Sequence, residues 1–293
     1  MSDVHIRPMQ PGDLEAAERL SSDSFLELDR STFPPAWPTP SGRGEAHRLD
    51  WVRRTSHFLT TDPGGCWVAE DESGMVGFAT SLAREDIWIL ATYAVRPGSQ
   101  GRGIGSRLLD AAEEHGRDCR RAMLSSSVDP KAVRRYRLAG FSLHPQMFLA
   151  GALDRSLVPA VRGVEEGDGS DLDLLHAVDR HTRGASHGPD HELLSATCRL
   201  LVVQEGERAG YAYADHAGRL QLLAATDAPT ATRLLWTVLA DGPDEARVGH
   251  VTHANEWAVD VAIAARLDVW TFGYLGLRHM APPAPYLHSG AML

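Results

Sequence analysis

Three cysteines in 293 residues, Cys66, Cys119 and Cys198, are too few and too widely spaced for a disulfide framework or a zinc pattern. Cys66 and Cys198 sit in or beside apolar runs, where a buried free thiol is the ordinary state. No uninterrupted apolar run reaches ~18 residues, so no membrane span is expected. No basic-then-apolar leader is visible at the N-terminus, and a cytoplasmic location is the default expectation. An excess of basic charge is missing too. The formal net charge is −10, which disfavours non-specific nucleic-acid binding and gives no hint of a membrane partner. The apolar fraction of 43% and charged fraction of 23% are those of a globular protein, and the length allows two domains with separate cores.

What is present is a glycine-rich stretch. Leu90–Val95 reads as an apolar strand, Arg96–Gly103 as a tight turn, and Ile104 onward as a helix. Ile104, Leu108, Leu109 and Ala112 keep helical spacing, with Arg107, Asp110, Glu113 and Glu114 on the other face. Gly101, Gly103 and Gly105 let the backbone approach a ligand and turn N–H groups outward. With the positive helix end they predict an anion site, and Arg102 and Arg107 add charge. The Gly-Lys-Ser/Thr of a P-loop is absent, and the glycines run G-x-G-x-G rather than G-x-G-x-x-G.

The remaining elements follow from turn signals and periodicity. Val4–Arg7 reads as a strand, and Pro11-Gly12-Asp13 starts a helix through Leu14, Ala17, Leu20 and Phe25. Residues 29–44 carry Pro34, Pro35, Pro38, Pro40, Gly42 and Gly44. They read as a long loop, either a cover for an acceptor pocket or a disordered surface segment. Helix resumes over Glu45–Leu59. Cys66–Glu70 and Met75–Leu82 read as a hairpin, and Ile87–Val95 as a third strand. Ala122–Ser126 reads as a strand. Asp129 then caps a helix with Pro130 at its first position, running through Tyr136 to Gly140.

Gln100-x-x-Gly103-x-Gly105 resembles the pyrophosphate-binding motif of the GNAT superfamily of acyl-CoA N-acyltransferases. Asp129-x-x-Ala132-x-x-Arg135-Tyr136 with Gly140-Phe141 is similar to a second motif of that family, with Asp for Asn and Arg for Leu. The resemblance covers residues 4–150. The second half looks like a worn copy. Val161–Asp168 parallels Ile6–Asp13, Leu200–Gln204 with Gly210–Asp215 parallels the hairpin, and Leu220–Ala225 parallels the strand before the glycine turn. Thr226–Thr232 stands where the glycine turn would recur, and Ala262 where Tyr136 would. The resemblance therefore implies an α/β (α+β) chain of two tandem GNAT-like domains, each a mixed, mostly antiparallel sheet flanked by helices. Residues 1–154 would be catalytic, and 155–293 a degenerate domain without the acyl-CoA motif.

By the same resemblance, acyl-CoA would bind along the end of the Ile87–Val95 strand, its pantetheine on the backbone of Ala94 and Arg96. The cofactor set is Ala94, Val95, Arg96, Gln100, Gly101, Arg102, Gly103, Ile104, Gly105, Ser106 and Asp129. Tyr136 would protonate or hydrogen-bond the leaving thiolate. The family's acidic base aligns with Ala91, which cannot serve, leaving Glu70, Glu85, Asp86, His47, His57 or no dedicated base. Arg134, Arg135 and Arg137 are either a solvated face or an attraction for the 3′-phosphate of coenzyme A. His176, His181, His187 and His191 lack metal-ligand spacing and read as loop histidines, so no metal is expected. The expected activity is acetyl transfer from the co-substrate acetyl-CoA to an amine of a small molecule, by direct attack in a ternary complex, in a monomer or homodimer. The alternatives are a non-catalytic acyl-CoA-binding sensor and a protein N-acetyltransferase. The tail Met280–Leu293 is too proline-rich for helix and apolar enough to pack on the body.

Overall fold

Period-2 and period-3.6 patterns alternate along the chain, and the structure, a computed structural model, follows them. It describes residues 4–34 and 37–293; Pro35 of the expected loop lies outside the described residues. The chain forms two compact units. Unit 1 comprises residues up to Leu124 with Asp129–Lys131, and unit 2 comprises Ser125–Val128 with Ala132–Leu293.

In unit 1, β1 (His5–Pro8), β2 (Cys66–Asp71), β3 (Gly74–Arg84) and β4 (Ile87–Val95) pair antiparallel in that order. β5 (Arg121–Ser126) then joins β4 in parallel. This is the mixed, mostly antiparallel sheet expected. α1 (Leu14–Thr32) and α2 (Glu45–Thr61) pack on β3. α1 runs to Thr32, so the first residues assigned to the loop are helical. Phe33 and Trp37 meet edge to face in the segment that follows. α3 (Ile104–Glu114) lays Leu108, Leu109 and Ala112 on the sheet. Phe58, Phe78, Leu82, Ile87 and Ile89 fill the core, each fully buried. Complete burial of an aliphatic or aromatic side chain stabilises by roughly 1.5–3 kcal/mol.

Unit 2 repeats the element order. β7 (Glu165–Glu166), α5 (Leu172–Thr182), α6 (Asp190–Thr197), β8 (Cys198–Glu205), β9 (Arg208–Asp215), β10 (Leu220–Ala225), α7 (Ala228–Asp241), β11 (Glu245–Thr252), α8 (Glu256–Ala264) and β12 (Asp268–Arg278) mirror β1 through the last strand of the first half. The tail contributes β13 (Tyr286–Leu287), with Leu287 and Leu293 buried. One sheet runs β13-β10-β9-β8-β7, antiparallel throughout.

The two halves do not separate at the boundary read between 154 and 155. α4 (Pro130–Leu138) lies mostly in unit 2. β6 (Ser142–Ala152) pairs antiparallel with β12 on one side and β11 on the other. Leu149 of β6 is fully buried in one cluster with Val248, Val251, Leu223 and Leu234. A strand closes where its apolar face finds cover, and β6 finds it among second-half residues.

Candidate functional site

The candidate site of unit 1 is built at the end of β4. Pairing of β4 with β5 covers only Ile87 to Leu90. Among the described residues, Thr92 through Val95 keep β3 as their ladder neighbour. A bulge at Ala91 shifts the β3 register between Thr80 and Ser81. The Arg96 N–H donates to the Val76 carbonyl at 2.8 Å, and the Arg96 carbonyl accepts from Ser99 N–H at 3.0 Å. Both backbone groups of Arg96 are thus used inside the protein, which corrects the expectation that they receive pantetheine. Ala94, opposite Phe78, shares that orientation by the alternation of an antiparallel ladder. Tyr93 and Val95 are the residues whose backbone faces away from β3. The Arg96 guanidinium is engaged as well, donating to Ser73 Oγ and the Met75 carbonyl.

The turn needs its glycines for conformation. Gly98, Gly101 and Gly103 have φ of +82°, +79° and +79°, a region open to glycine with little strain. A Cβ built at any of the three would meet nothing within 4 Å. The turn stands open around them. Gly103 is the left-handed N-cap of α3, and Arg107 N–H is bonded back to the Gly103 carbonyl at 3.2 Å. The N–H groups of Ile104, Gly105 and Ser106 precede that first helical bond and have no acceptor within the helix. These donors at a helix N-terminus are suited to phosphate oxygens. The Gln100 side chain spans the turn, donating to the Val95 carbonyl at 3.3 Å and accepting from Lys131 Nζ at 3.1 Å. Asp129 accepts from Lys131 N–H at 2.9 Å, the expected cap of α4. Arg102 is exposed, whereas Arg107 donates to the Val4 carbonyl.

Tyr136 lies in unit 2 on α4, only 6% exposed, its ring edge-on to Phe141. Arg137 donates to the Phe141 carbonyl at 3.2 Å. Two base candidates are held in ion pairs. A hydrogen bond from Arg7 lowers the Glu70 carboxyl, and one from Arg121 lowers that of Asp86. A carboxylate so stabilised is a weak base near neutrality. Elsewhere in unit 1, burial raises the carboxyl of Asp29, in the last turns of α1, to about 6.

The second half differs at the matching point. Asp227 caps α7, its carboxylate accepting from Thr230 N–H at 2.8 Å, and Pro229 removes another donor. The helix end that would take phosphate is filled from within. Its histidines are not solvated loop residues. His187 and His191 are buried, His176 is partly so, and His181 alone of the four is exposed.

Residues 22–141 match the family model described as acetyltransferase (GNAT) family. A curated relative, the spore coat polysaccharide biosynthesis protein SpsD of Bacillus subtilis (strain 168), is 27% identical over 140 residues. That match spans 46% of this chain and 46% of the relative, so about half of each. A candidate acetyltransferase structure from Pyrococcus horikoshii superposes with a TM-score of 0.74 at 18% identity, covering 99% of this chain and 95% of that one. A tandem GNAT protein from the clavulanic acid biosynthesis pathway superposes at 0.53 with 14% identity, covering 96% and 99%. No helix among the described residues is long and apolar enough to cross a membrane. The match to the acetyltransferase (GNAT) family is thus carried by residues 22–141, and the chain as a whole has the fold of a tandem GNAT protein.

Proposed function

We propose that this chain is an acetyl-CoA-dependent N-acetyltransferase that acetylates an amine of a small molecule by direct attack in a ternary complex. The observation that carries the reading is the turn after β4. Left-handed glycines precede three N–H groups that have no acceptor within α3, beside a strand end that, among the described residues, keeps β3 as its ladder neighbour. The pyrophosphate sits on Ile104, Gly105 and Ser106, with Gln100, Gly101, Arg102 and Gly103 shaping the turn. Pantetheine runs along Val95. Asp129 supports the site by capping α4. Tyr136 is the proton donor to the departing thiolate. Unit 2 holds no second acyl-CoA, because Asp227 fills the equivalent helix end.

The test is thioester consumption with acetyl-CoA across a panel of small amines, with Tyr136→Phe alongside. Turnover with at least one amine is expected. Tyr136→Phe should lower the chemical rate about 10²-fold, the lower range for a positioned proton donor, and leave acetyl-CoA affinity nearly unchanged. Binding of acetyl-CoA without turnover across the panel identifies a sensor instead, and turnover on peptide amines alone identifies a protein N-acetyltransferase.

A further inference from the structure

The second half, emptied of its phosphate turn, gathers chemistry elsewhere. α5 carries His176 and Asp179 three residues apart, on one face of the helix. α6 brings His191 to the same place. One ligand atom from each of these three residues lies within 4.8 Å of the others. Asp179 is 0% and His191 1% exposed, while His176 is partly exposed, which leaves an approach from its side.

We propose that His176, Asp179 and His191 form a binding site for a first-row divalent transition-metal ion such as Zn2+. Two imidazoles and one carboxylate are the donor set such ions take, with one coordination position left over, whereas Mg2+ and Ca2+ prefer all-oxygen sets.

The surroundings hold these rings as a metal site requires. The Ser186 hydroxyl meets His176 Nδ1, and the Tyr213 hydroxyl meets His191 Nδ1 at 3.2 Å. Each hydroxyl can accept an Nδ1–H, and the lone pair then stands on Nε2. This is the outer-shell arrangement that orients ligating histidines. His191 Nε2 already lies 2.8 Å from Asp179 Oδ2. The other carboxylate oxygen accepts from the Tyr211 hydroxyl. His187 meets the same Oδ2 twice, through its backbone N–H at 2.9 Å and its ring Nδ1 at 2.8 Å, while its Nε2 meets the Tyr286 hydroxyl at 3.0 Å. With metal–ligand bonds of about 2.0–2.1 Å, neighbouring tetrahedral ligands stand about 3.3 Å apart. The present spread, from 2.8 Å to at most 4.8 Å, is reached by rotating side chains. An ion here fastens α5 to α6 across the 183–189 loop.

The linear spacing that argued against a metal is not informative, because the ligands come from two helices. The proposal is independent of the acyl-transfer reading. The test uses the full chain stripped with a chelator and titrated with Zn2+, followed by calorimetry and by metal analysis after gel filtration. Co2+ serves as a visible-absorption probe. His176→Asn, a partly exposed position, is the main variant. Ser186→Ala tests the positioning hydroxyl, and exposed His181→Ala is the control. One Zn2+ per chain is expected, with a rise in thermal midpoint. Affinity should fall at least tenfold in His176→Asn, about tenfold in Ser186→Ala, in the range seen for lost outer-shell partners, and not at all in His181→Ala. A wild-type chain that stays metal-free at micromolar Zn2+ overturns the proposal. So does one that binds equally well with His176→Asn, and so does a Zn2+-insensitive thermal midpoint.

Discussion

Acid should weaken unit 2 through a histidine pair, His288 buried and His250 partly so, and the magnitude can be worked out. The rings of His250 and His288 lie with centres 4.3 Å apart, tilted by 30°. Gln146, 1% exposed, lies between their polar atoms. His250 Nδ1 is 3.3 Å from Gln146 Oε1 and 3.5 Å from Ser125 Oγ. Gln146 Nε2 is 2.7 Å from His288 Nε2, and His288 Nδ1 is 2.8 Å from the Ser289 carbonyl. His288 therefore donates through Nδ1 and accepts through Nε2, so it is neutral. A second proton would confront the Gln146 N–H. Burial pushes His250 from 6.5 down to about 4, and burial with the neighbouring His250 holds His288 well below its usual value. The sign follows from linkage. Above 6.5 both folded and unfolded forms are neutral, and stability is full. As pH falls from 6.5 toward 4 the unfolded chain takes up protons that the folded one refuses, and stability is lost.

For His250 alone the loss by about pH 5 is about 2 kcal/mol, from the difference between 6.5 and about 4. That is a large share of a typical 5–15 kcal/mol. The assay is urea unfolding followed by tryptophan fluorescence at about pH 7.5 and about pH 5. With a slope of about 3 kcal/mol per molar, the His250 share moves the midpoint by about 0.7 M. His250→Asn is the comparison, because φ at this position is +62°, which asparagine tolerates. The variant should lose about 2 kcal/mol less between the two pH values than the parent does. An equal acid loss in both proteins would refute the reasoning.

Gly103→Ala should weaken acetyl-CoA binding in calorimetry and cost about 1–2 kcal/mol in denaturant, from left-handed strain alone since a Cβ there meets open space. Equilibrium binding should count one acetyl-CoA per chain, and Asp227→Ala should not add a second.

The turn after β4 was readable because its requirements are local. A left-handed residue must be glycine or nearly so, and a helix start exposes its N–H groups whatever lies around it. Gln100, Gly103 and Gly105 carry that information in six consecutive positions. The repeat was readable for a similar reason, since the order of periodic segments survives even where the turn itself is lost. Glu70 and Asp86 looked available as letters, but Arg7 and Arg121 hold them in ion pairs that only the folded chain brings together.

The amino-acid sequence by itself determined the helices, the hairpins, the glycine turn and the absence of that turn from the second half, all products of short-range sterics and period. Only the tertiary structure decided that β6 pairs with β11 and β12, that Arg96 uses its backbone groups within the protein, and that His176, Asp179 and His191 converge. Ladder partners and buried polar clusters join residues far apart in the chain. Their choice depends on which apolar faces and unpaired polar groups meet when the whole chain closes, and no short window contains that.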